Sequence, residues 1–96
     1  MLFGNRIKEL REGQGLLQRQ LAVALGVDVP MFSKIERGDR RAKRKHVVIL
    51  AQQLNTSEEE LLSLWLADKI IDAIDNDSKV GLSALNVVHK ELSSQI

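Results

Sequence analysis

Ninety-six residues with a net charge of +1, 44 % apolar and 28 % charged, describe one folded domain with at most a short appendage. The absence of cysteine excludes a disulfide framework and a cysteine-based metal site. No apolar run approaches the roughly 18 residues of a membrane span, and "MLFGNRIKEL" lacks the shape of a signal peptide, so a cytoplasmic protein with no membrane partner is expected.

Only three aromatics are present, Phe3, Phe32 and Trp65, so Leu, Ile, Val and Ala must fill the core, which favours helices. Phe3, Ile7 and Leu10 give one apolar face and predict a helix over 3–12, stopped by "GQG". Leu17, Leu21, Ala24 and Leu25 repeat the spacing, and Gly26 ends the second helix. Asp28 can cap a third helix with Pro30 in its first turn, Phe32 and Ile35 inward and Gly38 at its close. A fourth runs from about 45 to 54, with Val47, Leu50, Ala51 and Leu54 inward. "NTSEEE" opens a fifth, with Ser57 and Glu60 at capping-box spacing and acids where the helix dipole favours them. No segment alternates with period two, so no strand is expected.

The fifth helix has two packing faces in series. Leu61, Leu62, Leu64 and Trp65 share one side, while Leu66, Ile70, Ile71 and Ile74 share roughly the opposite one. The first set completes the core of the preceding helices; the second needs another partner. After "DNDSKVG", Leu82, Leu85, Val88 and Leu92 form a last amphipathic helix, which can fold back on that second face or meet the same pair in a second chain. A chain this short buries only roughly 60–65 % of its unfolded surface, so a partner chain would add to its stability.

Charge is segregated. Residues 34–45 hold seven basic and two acidic side chains; residues 55–77 hold seven acidic and one basic. This points to one surface for a polyanion and another turned away from it, or to two solvated faces. Asp68, Asp72 and Asp75 share one helix face and read as solvated acids, since no loop is present to wrap a cation. His46 and His89 are read as surface or boundary histidines. With neither metal-ligand spacing nor a glycine-rich phosphate loop, no enzyme, cofactor or small-molecule ligand is indicated.

The stretch "LREGQGLLQRQLAVALGVDVPMFSKIERG" resembles the helix-turn-helix of the phage-repressor and Cro type. Leu10 and Arg11, Gln18, Leu21 and Ala22, Gly26 and Val27, and then Ser33, Ile35, Glu36 and Gly38 carry the likeness, which extends over about residues 3–66. "FSKIERGDRRAKR" followed by "LLSLWLADKI" looks most like small regulators encoded beside DNA methyltransferases. The resemblance implies an all-α, five-helix repressor-type domain over 1–66; residues 67–96 lie outside it, and the stranded apolar face of the fifth helix predicts that this helical extension carries dimerisation.

It further implies a homodimeric transcriptional regulator of double-stranded DNA. A helix-turn-helix lays its second helix in the major groove. Val29, Pro30, Ser33 and Lys34 are then the base-contact candidates. Lys34 can donate to guanine, whereas Val29 and Pro30 can only touch thymine methyls or exclude by shape. Many relatives carry Gln at the position of Val29, which alternatively staples onto the preceding turn. Gln18, Arg37, Arg40, Arg41, Lys43 and Arg44 are the phosphate candidates, and three or four of the six are expected to touch DNA. Arg11 and Glu36 resemble a structural ion pair of the family. Leu66, Ile70, Ile71, Ile74, Leu82, Leu85, Val88 and Leu92 are the dimer-interface candidates. Activation in some phage relatives uses acids on the second helix; "QRQLAVALG" has none, which favours repression, although restriction–modification controllers do both. An autoregulating antitoxin whose last helices bind a toxin is the alternative. A helical interaction module without DNA binding fits the basic "DRRAKRK" less well.

Overall fold

The computed structural model describes residues 1–96 and consists of six helices with no strand: α1 (Leu2–Gly13), α2 (Gln18–Leu25), α3 (Val29–Arg37), α4 (Arg44–Gln53), α5 (Glu58–Ile74) and α6 (Ser78–Ser93). The capping chemistry explains the boundaries. Asp28 accepts from the Met31 amide and starts α3, with Pro30 in the first turn. Gly38 ends α3 at φ 82°, a left-handed conformation that a side chain would resist. Ser57 accepts from the Glu60 amide at the start of α5. The reciprocal half of that capping box is absent: the Glu60 carboxylate turns instead to the Thr56 hydroxyl and to Arg6.

Helices α1 to α5 enclose one core. Phe32, Ile7, Leu21, Leu50, Leu54, Leu61 and Val47 are its fully buried side chains, and Phe3, Leu25, Ile35, Ala51 and Trp65 complete its walls. The inward faces predicted for α1, α3 and α4 are thus those observed. In α2 the packing differs. Leu17 precedes the first turn and is half exposed, while Ala22 is buried with Leu21 and Leu25. Helices α1 and α3 approach closely because Gly4 lies at the contact. A Cβ there would sit 2.3 Å from the Glu36 carbonyl oxygen.

The polar groups inside this body are satisfied. Arg11 Nε and Nη2 donate to the two Glu36 oxygens at 2.7 and 3.1 Å, and Arg11 Nη1 donates to the Leu16 carbonyl. Glu36 holds the Arg11 guanidinium in its charged form, raising its pKa against the opposing effect of burial. Asp68 corrects the reading of a solvated acidic face. It is only 4 % exposed, and its two oxygens accept from the Leu2 and Phe3 amides, each at 3.0 Å. It therefore caps α1, which has no side-chain cap of its own. Asp72 forms an ion pair with Arg41, and only Asp75 stays unpaired in solvent. His46 is likewise buried, not a surface group. Burial first, then the charges of Lys45 and Lys43, push its pKa below the usual histidine value.

The C-terminal part is built differently. Helix α5 runs unbroken from Glu58 to Ile74, one helix carrying both faces in series. Helix α6 packs closely on it at Gly81, where a Cβ would lie 2.5 Å from Ile74 Cγ2. Every other residue from 78 to 96 is exposed. The radius of gyration is 15.0 Å, against about 12.5 Å for a compact chain of this length, because α6 projects from the body.

Candidate nucleic-acid interface

The turn Gly26–Asp28 joins α2 to α3, and the core under both fixes their relative orientation through Leu21, Leu25, Phe32 and Ile35. With Phe32 and Ile35 inward, Val29, Pro30 and Lys34 are exposed and Ser33 is half-buried. Val29 is 41 % exposed. The Ser33 hydroxyl accepts from Arg37 Nη1 at 2.9 Å and retains its own proton for donation.

The basic side chains are exposed and follow one another along the chain from the end of α3 into α4. Arg37 ends α3, Arg40 and Lys43 lie in the following loop, and Arg44 and Lys45 open α4. Lys34, Arg40, Lys43, Arg44 and Lys45 have no carboxylate partner, whereas Arg37 pairs with Asp39 and Arg41 with Asp72. Gln18 sits at the start of α2, but its amide donates to Glu36 Oε1 at 3.0 Å, so the ion pair of α1 and α3 holds it. Two exposed cations stand outside the six phosphate candidates: Lys45, part of the basic run and in the first turn of α4, and Arg19, beside Gln18 in the first turn of α2. Their presence at helix N-termini was the signal that could have marked them.

Five helices with this turn, an exposed second helix and a flanking band of unpaired cations define a helix-turn-helix DNA-binding domain. The helix-turn-helix family HTH_3 matches residues 7–61, and the chain belongs to that family, of the XRE/Cro type: it is a DNA-binding transcriptional regulator. It is 37 % identical over 60 residues to YazB of Bacillus subtilis (strain 168), an uncharacterized HTH-type transcriptional regulator; the match covers 62 % of this chain and 87 % of the relative. No solved structure matches significantly. No helix is long and apolar enough to cross a membrane.

Proposed function

We propose that the protein binds a palindromic operator as a homodimer, with α3 of each protomer in successive major grooves, and acts in the cytoplasm as a repressor or a restriction–modification controller. One short recognition helix reads few base pairs, so useful specificity needs two, about 34 Å apart. Val29, Pro30, Ser33 and Lys34 face the base edges in this reading. Lys34 donates to guanine O6 and N7, Ser33 donates or accepts, and Val29 and Pro30 meet thymine methyls. Arg37, Arg40, Lys43, Arg44 and Lys45 neutralise phosphates and release counterions. Gln18, its side chain engaged, contributes through the α2 N-terminus.

The observation that carries the dimer is the uncovered face of α5 and α6. Leu66, Ile70, Ile71, Leu82, Leu85, Val88 and Leu92 are all more than a third exposed, and Ile74 is half-buried against Gly81. A cleft of about 340 Å³ between the two helices is lined by Ile70, Ile74, Val80, Leu85 and Val88. A face this apolar on a small soluble chain marks an association surface. In this reading residues 67–96 are the dimerisation element, and protein concentration sets operator occupancy through the dimer equilibrium.

Selection of sites from random duplex DNA at roughly physiological salt tests the reading. The expected product is an inverted repeat with half-site centres one helical turn apart. Sedimentation at tens of micromolar should give a dimer. A monomer that enriches no sequence would leave the α5–α6 face to a different protein, such as a toxin.

A further inference from the structure

The loop Asp39–Lys43 carries Arg40 and Lys43, yet it has little backbone structure of its own. The Asp39 and Arg40 amides donate to the Lys34 carbonyl, and the Lys43 amide reaches His46 Nδ1 at 3.4 Å. Between them, Arg41 and Ala42 have no backbone–backbone hydrogen bond. Such a segment opens easily unless side chains tie it down. Two ties are present, and both come from α5. The Trp65 indole N–H donates to the Ala42 carbonyl at 2.7 Å, with the Ala42 side chain buried. The Arg41 guanidinium pairs with Asp72. Trp65 and Asp72 are seven residues apart, two turns along one stripe of α5.

Resting on the reading that this loop binds phosphates, we infer that Trp65 and Asp72 are positioning residues for it, and that Arg41 is the loop's strap to α5 instead of a phosphate contact. Arg41 and Asp72 line a cleft with Phe3, Trp65 and Asp68 that Arg40 also borders, so what separates Arg41 from Arg40 and Lys43 is its ion pair to α5. The Arg41 charge is met at the surface by Asp72, while Arg40 and Lys43 have no carboxylate partner. The stripe has its own anchor: Lys69 Nζ lies 3.8 Å above the Trp65 ring. An exposed ion pair alone is weak, and the buried indole hydrogen bond makes the stronger tie.

The two roles differ in counterion release. A phosphate contact contributes about one to the slope of log affinity against log salt, whereas a strap contributes nothing to it. The full-length chain is titrated with a duplex carrying the selected site, from about 50 to 200 mM salt. Circular dichroism confirms that each variant is folded at the assay temperature. Arg41→Gln and Asp72→Asn should each weaken binding about two- to fivefold, and Trp65→Phe about five- to tenfold, all with the wild-type slope. Lys43→Gln should lower the slope by about one. The exchange of Arg41→Asp with Asp72→Arg should restore binding, which an acid at a phosphate contact would not allow. A slope reduced by about one in Arg41→Gln, tighter binding by Asp72→Asn, or unchanged affinity in all three variants would overturn the assignment. Wild-type binding without salt dependence would overturn the underlying DNA reading, and the strap with it.

Discussion

The body formed by α1 to the first half of α5 and the tail formed by the rest of α5 and α6 solve opposite problems with similar residues. In the body, apolar side chains are enclosed, and the charged groups taken inside find specific partners: Arg11 with Glu36, and Asp68 with two amides. In the tail, leucines, isoleucines and valines of the same helical spacing lie in the open, and α6 meets the end of α5 closely at Gly81. Amphipathic patterning thus specifies a helix in both regions, but it specifies a buried place only where other elements of the same chain supply the opposing face.

The contrast can be broken from the body's side first. Glu36→Ala leaves the buried Arg11 guanidinium without its partner and should cost about 3–5 kcal/mol, enough to unfold much of the protein in a thermal melt. Gly4→Ala drives a methyl into the Glu36 carbonyl and should cost about 1–3 kcal/mol by urea unfolding. Asp68→Ala removes a cap from α1 and should cost about 0.5–2 kcal/mol, with faster amide exchange at Leu2 and Phe3.

A fourth test uses pH. Folded His46 binds a proton less readily than the unfolded chain, whose histidine has its ordinary value of 6.5. Around and below that value the unfolded state takes up more protons, so the stability from the neutral ring is present above the ordinary histidine value and is lost as pH falls toward the lower value of the folded protein. A His46→Gln variant should flatten the profile measured by denaturant unfolding. The smallest stability effect belongs to the tail. Leu82→Ser with Val88→Ser should change unfolding of the dilute protein by no more than about 0.5 kcal/mol, while weakening self-association at least about tenfold in sedimentation. Loss of stability as large as in the body would show that α6 belongs to the core after all.

The helices, their caps and the inward faces of α1, α3 and α4 were legible because they depend on neighbours within a few residues. Asp28, Gly38 and Ser57 act on their own helices, and periodicity places Phe32, Ile35, Val47 and Leu50. The basic band was legible as composition, since Arg40, Lys43, Arg44 and Lys45 are adjacent in the chain. Which of its members stay unpaired was not: Arg41 meets Asp72 thirty-one residues away. Gln18 was legible as a helix start but not as a donor to Glu36.

By itself the sequence determined the elements, the turn between α2 and α3, the positive band and the two-faced character of α5, because each is set by local sterics, local hydrogen bonds or the period of a helix. Tertiary structure alone decided that Asp68 caps α1 across 65 residues, that His46 is buried, that Trp65 holds the Ala42 carbonyl, and that α6 stands away from the body. Those outcomes depend on which distant groups the packed core brings within hydrogen-bonding reach, and the linear order of residues does not carry that information.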